Sequence, residues 1–174
     1  GSDLLNSPFL FNTGDADGIV TPTGAELIPI NWLDRPTAVL PCWMSDERNQ
    51  PSPIDPRQIL HSVIEKYVAI GLKPIVAFEL EFYLLDPNSN KPLVSKNPIK
   101  KTRLLNTSVL SIDELDDFEN FFSDVSIACK NHNIPSDSAI SENGVGQFEI
   151  NLTHTSNPLI SADNALFFRR IVRG

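Results

Sequence analysis

The chain has 174 residues, of which 14 are Lys or Arg and 22 are Asp or Glu, so its formal net charge is −8. Hydrophobic residues make up 41% of the sequence, which is typical of a globular protein and too high for a disordered one. The acidic balance and the lack of a run of ~18–20 apolar residues argue against nucleic-acid and membrane partners. Because no secretory signal is visible either, we expect a cytoplasmic protein.

The first 55 residues are rich in Pro, Gly, Asn and Asp, which separate short apolar runs. These runs predict short strands at 8–11, 26–30 and 37–44. Asp55 followed by Pro56 predicts the start of a helix, because Asp accepts hydrogen bonds from free helix N–H groups and Pro fits the first turn. We expect this helix to end at Gly71.

The clearest strand is the sequence IVAFELEFYLL, residues 75–85. Side chains alternate between the two faces of a strand, so Leu80 and Phe82 point one way while Glu79 and Glu81 point the other. We expect a core on the first face and carboxylates on the second. The polar stretch that follows, residues 86–110, predicts a surface loop.

Two further helices are predicted by apolar stripes at helical spacing. The stripe of the first is Leu115, Phe118, Phe122, Val125 and Cys129. The second helix covers 158–173, and its apolar face is Ala162, Leu166, Phe167, Ile171 and Val172, with Arg169, Arg170 and Arg173 on a solvated face. The two cysteines, Cys42 and Cys129, have no zinc-ligand spacing, so we expect buried free thiols.

Residues 138–142 and 147–152 alternate around Asn-Gly-Val-Gly, which predicts a β-hairpin whose turn contains Gly144 and Gly146. Glu149 then has its side chain opposite a Phe/Ile/Leu face, and Glu142 lies across the hairpin on the same side. We therefore expect Glu79, Glu81, Glu142 and Glu149 to converge.

Three interpretations of these carboxylates stay open, because spacing alone does not separate them. Several carboxylates with water suit Mg²⁺ or Mn²⁺ that also holds substrate phosphates. Solvated Glu side chains are common on the wet face of antiparallel strands. An acid and base of the glycosidase kind is the third interpretation. The histidines add little, since we expect His61 and His132 to be solvated and His154 to make a structural hydrogen bond.

Several stretches of the sequence occur in an order typical of one enzyme family. They are GDADG (14–18), PINWLDRPTAVL (29–40), DPRQIL (55–60), FELEFYL (78–84), SENGVGQFEINLTH (141–154) and PLISADNALFFRRIVR (158–173). Together they resemble the glutamine synthetase family. With LSIDELDDFENFF (110–122), the chain looks most similar to the γ-glutamylpolyamine synthetase branch of that family.

The resemblance implies an α+β fold. Residues 1–54 would be the C-terminal part of a β-grasp domain, and 55–174 the first part of a catalytic domain with an antiparallel sheet flanked by helices. It also implies an ATP-dependent glutamate–amine or glutamate–ammonia ligase that forms γ-glutamyl amides through a γ-glutamyl phosphate. Intact enzymes of the family are homo-oligomers, so a ring of the dodecamer type is expected.

The resemblance further implies that Glu81, Glu142 and Glu149 hold one divalent metal, Mg²⁺ or Mn²⁺, and that Glu79 ligates a second. Asp137 falls near the nucleotide by the same comparison. The family's downstream histidine, arginines and Ala-Thr-Phe-Met-type stretch are not matched, so we assign no catalytic residue and expect no ligase turnover from these 174 residues alone. The alternative is a catalytically incomplete paralogue that acts as an interaction or regulatory module.

Overall fold

The structure is a computed structural model that describes residues 18–103, 105–106 and 109–174. It divides into two compact units, one ending at Leu72 and the other beginning at Lys73. Helices and antiparallel sheets are combined, which confirms the predicted α+β class. The predicted strand at 8–11 lies outside the described residues, as does the 14–18 motif except for its last residue.

The first unit contains two small antiparallel sheets and one helix. Its elements are β1 (Ile19–Pro22), β2 (Ile28–Ile30), β3 (Thr37–Val39), β4 (Cys42–Ser45) and α1 (Pro56–Ala69). β1 pairs with β4, and β2 pairs with β3. The prediction of a single strand over 37–44 is therefore wrong. The strand divides at Pro41, which has no N–H group to continue a ladder and whose carbonyl accepts a hydrogen bond from Thr23 N.

The predicted start of α1 at Asp55 is confirmed. One carboxylate oxygen of Asp55 accepts from Arg57 N at 2.9 Å and the other accepts from Met44 N at 2.9 Å. A single side chain thus caps the helix and ties it to β4. α1 ends before Gly71, whose φ of +75° favours glycine.

The second unit is built on a three-stranded antiparallel sheet in the order β5–β7–β6. The strands are β5 (Glu79–Tyr83), β6 (Ser136–Ser141) and β7 (Gln147–Leu152), and the helices are α2 (Ile112–Asp117), α3 (Glu119–Asn131) and α4 (Pro158–Arg173). The predicted hairpin is confirmed as β6 and β7. None of the helices in the described ranges is long and apolar enough to cross a membrane.

The prediction of one continuous helix through Phe118 is wrong, because α2 and α3 are separate helices. Phe118 leaves helical geometry, with φ −113° and ψ 22°, and is only 3% exposed. Its ring packs edge-on against Phe148, with centroids 5.3 Å apart. Burying the Phe118 ring against Phe148 therefore outweighs the helical hydrogen bonding that local propensity would continue through this residue.

The core of the second unit forms around the Phe148 ring, which has no exposed surface. The rings of Phe82, Phe118 and Phe122 surround it at centroid distances of 5.2–6.4 Å. These residues come from β5 and the α2–α3 region, so the face of the sheet opposite the acids is covered by aromatic side chains. The strand parity predicted for residues 75–85 is therefore confirmed, although ladder pairing is limited to β5.

Helix α4 has the predicted bounds but a rotated buried face. Leu166 is 64% exposed, whereas Ala165 and Phe168 are buried, so the predicted apolar face is partly wrong. The prediction that His132 is solvated is also wrong. Its ring centroid lies 4.8 Å from that of Phe167, and burial lowers the pKa of its imidazole.

Both cysteines are free thiols, as predicted. Cys129 is fully buried, and its burial raises the pKa of the thiol, whereas Cys42 is only half-buried.

Candidate functional site

The acidic face of the sheet is defined by the register of β5 against β7. Glu81 lies directly opposite Glu149, and Glu79 lies opposite Asn151. Directly opposed residues of antiparallel strands project to the same face, with Cβ atoms ~4.5–5.5 Å apart. The structure therefore brings Glu81 and Glu149 together as the sequence predicted.

Glu149 occupies an unusual environment for a carboxylate. It is only 9% exposed, and among the described residues no hydrogen bond or ion pair reaches its side chain. The neighbouring Asn151 Oδ1 is also buried and has no hydrogen-bond partner in the described ranges. Burying an acceptor oxygen such as Asn151 Oδ1 without a donor or a cation near it is costly. Asn151 Oδ1 and the opposed carboxylates of Glu81 and Glu149 are oxygen donors of the kind that hard cations bind.

The other acids of this face differ in hydrogen-bond partners and exposure. Glu81 accepts a hydrogen bond from Gln147 Nε2, and Glu142 accepts from Asn143 N at 3.3 Å, while Glu79 is exposed. Glu142 N donates to Gln147 O at 2.9 Å, which keeps the hairpin paired at that point. Within residues 18–103, 105–106 and 109–174, no group of three His, Cys, Asp or Glu side chains is arranged to hold a metal ion. A ligand cluster thus requires side-chain rotation on a backbone that already shares one face.

Gln147 connects this face to the hairpin turn. Its Oε1 accepts from Gly144 N at 2.8 Å and from Tyr83 Oη at 3.1 Å, while Nε2 donates to Glu81. Gln147 and Tyr83 were not among the site residues predicted from the sequence. Strand alternation was the signal available, since both residues have the same parity as the acids of their strands.

Gly146 is required in the turn by space and by backbone geometry, whereas a Cβ at Gly144 would meet the ends of two side chains. Gly146 has φ +70°, and a Cβ there would lie 2.5 Å from Val94 Cγ1. A Cβ at Gly144 would lie 2.5 Å from Gln147 Oε1. Both contacts are far shorter than van der Waals separation, which supports the predicted role in the turn.

Replacing Gly146 with Ala should destabilise the second unit by about 2–3 kcal/mol, because the left-handed backbone and the Val94 contact both oppose a Cβ. Gly71 is the matched control, since its φ is +75° but no atom lies within 4 Å of the position of a Cβ. Gly71→Ala should therefore cost only about 1 kcal/mol. Urea unfolding of the two variants measures the difference, and equal losses would contradict the steric contribution of Val94.

The segment after β5 is more ordered than the predicted surface loop. Leu85 forms an isolated antiparallel bridge with Val94, and Lys96 forms one with Arg103. The Arg103 guanidinium pairs with the Asp86 carboxylate and also donates to Val94 O. Since Val94 packs on Gly146, this segment supports the turn of the acidic face.

The pKa of the Asp86 carboxyl is lowered, first by the hydrogen bond from Asn88 N and then by the Arg103 guanidinium. Because the pKa is lower in the folded state, Asp86 adds stability above its unfolded pKa of about 3.9 and loses it as the pH falls through the folded value. We expect Arg103→Gln to raise the Asp86 pKa in a carbon-13 carboxyl titration, while Arg48→Gln leaves it unchanged. An identical Asp86 titration in Arg103→Gln would contradict this cause.

A buried hydrogen bond also fastens the strand that precedes Glu142. Ser141 Oγ donates to Glu114 Oε2 at 2.7 Å, and both residues are buried. Leu110 N donates to Ser141 O at 2.8 Å, so α2 and the residue Leu110 that precedes it both hold the end of β6. Glu142, the residue that follows β6, is therefore attached to a strand end that these two hydrogen bonds hold in place.

The remaining predicted residues belong to other elements of the chain. Asp137 is an exposed residue of β6, an edge strand of the sheet. His154 is exposed after β7, and His61 contacts Trp43 and Glu65 in the first unit. Neither the nucleotide assignment of Asp137 nor the metal assignments of the four glutamates is tested by these positions, so they stay predictions.

The architecture is that of an α+β domain. One face of its antiparallel sheet is covered by an aromatic core, and the other face bears carboxylates. Residues 53–174 match the family described as glutamine synthetase, catalytic domain. The chain therefore belongs to the glutamine synthetase family. This confirms the family predicted from the motifs of the sequence.

Named relatives agree with that family. The chain is 38% identical over 133 residues to gamma-glutamylputrescine synthetase PuuA of Escherichia coli (strain K12), a match that covers 75% of this chain and 28% of the relative. It is 29% identical over 171 residues to glutamate–isopropylamine ligase of a Pseudomonas species, covering 94% of this chain and 35% of the relative. The chain thus spans about a third of the length of these relatives.

The fold is shared with a solved structure described as apo GmaS without ligand. The TM-score is 0.78 at 22% identity, and the match covers 94% of this chain and 37% of the solved one. At this identity the likeness shows the fold, and the similarity extends over both units of the described chain.

Proposed function

We propose that these residues are part of an ATP-dependent ligase that joins the γ-carboxyl group of glutamate to an amine through a γ-glutamyl phosphate. The observation that carries the proposal is the opposed pair Glu81 and Glu149, with the buried, unpartnered Oδ1 of Asn151 on the same strand as Glu149. Because the named relatives act on putrescine and isopropylamine, the proposed acceptor is an alkyl amine rather than ammonia.

In this proposal Glu81, Glu142 and Glu149 hold one divalent cation, Mg²⁺ or Mn²⁺, and Glu79 contributes to a second. The donor set supports the assignment, since hard cations of this kind take carboxylate and amide oxygens. Such a cation, when bound, neutralises charge on the transferring phosphoryl group. The protein's own residues orient the carboxylates, and the aromatic core behind the sheet keeps the two strands in register.

Asp137 is proposed to lie near ATP, and its exposed position on an edge strand leaves its carboxylate accessible.

Residues 1–54 are proposed to be the end of a β-grasp domain and 55–174 the first part of the catalytic domain. The intact protein is proposed to be a homo-oligomer with a ring of the dodecamer type. A cytoplasmic location stays a prediction from the sequence.

The test is to express the complete polypeptide encoded by the source gene and incubate it with ATP, Mg²⁺, glutamate and either putrescine, isopropylamine or ammonia. Phosphate release that depends on both glutamate and an alkyl amine, with the γ-glutamyl amide seen by mass spectrometry, supports the proposal. Ammonia as the preferred acceptor overturns the choice of amine. An absence of amide formation from all three overturns the ligase and favours the incomplete paralogue.

The 174-residue chain alone is proposed not to turn over, because no residue in it is assigned to catalysis. Amide synthesis by the isolated chain would contradict that statement. Activity that survives a chelator would contradict the metal-dependent mechanism and revive the glycosidase-like interpretation of the acids.

A further inference from the structure

The amide of Gln147 has a fixed orientation in the structure. Its Oε1 accepts two hydrogen bonds, from Gly144 N and Tyr83 Oη. A backbone N–H can only donate, so exchanging the positions of Oε1 and Nε2 would set two donors against each other at Gly144. The Nε2 group is therefore directed at Glu81 by contacts that do not involve Glu81.

The contact with Gln147 uses one of the two oxygens of Glu81. Nε2 donates to Oε2, which leaves Oε1 of Glu81 as a free acceptor on the face shared with Glu149. Gln147 also neighbours Glu149 on β7 with the same parity, since both point to the acidic face. In the described ranges, Gln147 is the side chain that orients Glu81.

We propose that Gln147 is a positioning residue for the cation site, holding one Glu81 oxygen and leaving the other available to a cation on the face shared with Glu149, with Tyr83 and Gly144 fixing the amide. This inference rests on the proposed function, because it presumes that Glu81 and Glu149 hold a divalent cation. The inference adds Gln147, Tyr83 and Gly144 to the acids of the proposed site. Hydrogen-bonded partners of metal ligands commonly account for a ~10–100-fold change in metal affinity.

The experiment measures Mn²⁺ binding to the 174-residue chain from the electron paramagnetic resonance signal of the free ion. We expect Gln147→Met to weaken Mn²⁺ binding about 10-fold or more, since Met keeps the length of the side chain but has no amide. Tyr83→Phe should weaken it less, because Gly144 N still holds Oε1. Tyr67→Phe, at the other tyrosine of the chain, is the control and should have no effect.

A double-mutant cycle separates positioning from a merely structural role. If Gln147 acts through Glu81, then Gln147→Met should have no further effect on Mn²⁺ affinity in a Glu81→Gln background. A purely structural role in the turn would give the same fold-loss in both backgrounds, which would overturn the proposal. Circular dichroism and the thermal midpoint of each variant confirm that the chains compared are folded.

The failure of the inference and the failure of the proposed function give different results. If Glu149→Gln weakens Mn²⁺ binding while Gln147→Met does not, the cation site stands and the role of Gln147 is overturned. If wild type does not bind Mn²⁺, or Glu149→Gln leaves the affinity unchanged, the assignment of the cation to this face is overturned together with the inference.

Discussion

Replacing Glu149 with Gln is expected to reverse the order of stability of the two proteins when Mn²⁺ is added. Without metal, the variant should be more stable by about 1 kcal/mol or less, since like charges directly opposite each other on paired strands are destabilising.

With Mn²⁺ at ~100 times the dissociation constant, binding should stabilise the wild type by about 2.7 kcal/mol. The variant should gain little, because the change removes a proposed ligand and even a hydrogen-bonded partner of a ligand is worth ~10–100-fold in affinity. Urea unfolding with and without Mn²⁺ measures both values. Glu47→Gln, an exposed site with the same charge change, is the control. Parallel stabilisation of wild type and Glu149→Gln by Mn²⁺ would exclude Glu149 as a ligand.

Truncating Phe148 to Ala should destabilise the second unit by about 3–5 kcal/mol. The side chain has no exposed surface and touches aromatic rings from β5, α3 and the break between α2 and α3. Removing it therefore leaves a cavity lined by several elements, which cannot all collapse into the space at once. The expected loss is a large fraction of the stability of an ordinary domain.

The matched comparison is Phe78→Ala, since Phe78 is 39% exposed and precedes the same sheet. We expect that change to cost about 1–2 kcal/mol, in proportion to the smaller buried area. Denaturant unfolding followed by circular dichroism gives both values. Equal losses in the two variants would show that Phe148 is not the centre of the core.

The loss of Phe148 should also weaken the acidic face, because Phe148 and Glu149 are consecutive residues of β7 and their side chains lie on opposite faces. A core that no longer holds the register of β5 against β7 no longer holds Glu81 opposite Glu149. Mn²⁺ affinity of Phe148→Ala is therefore expected to fall under conditions in which the chain is still folded.

Local sequence was sufficient wherever the physical cause lies within a few residues. Asp55 and Asn157 cap α1 and α4 with their own side chains, and a Pro follows each cap, so both helix starts were predictable. The parity of strands β5 and β7 placed the glutamates on one face, because side-chain direction in a strand depends only on alternation. The glycines between β6 and β7 likewise predicted the hairpin turn, because the type of turn depends on only a few consecutive residues.

Tertiary contacts decided the features that involve residues distant in the chain. Phe118 ends α2 because its ring is buried against Phe148, and nothing within the helix sequence marks that break. Asp86 meets Arg103 across a segment whose composition predicted only a loop.

The same division holds for the candidate site. Its acids were predictable from alternation and from the family motifs, and their register is set by the pairing of residues 64–72 positions apart in the chain. The role of Gln147 was not predictable, since an amide has no preferred partner until folding brings Glu81, Tyr83 and Gly144 around it. The sequence by itself therefore determined which face bears the acids, whereas only the tertiary structure decided which neighbours orient them, because hydrogen-bond partners are selected by three-dimensional proximity.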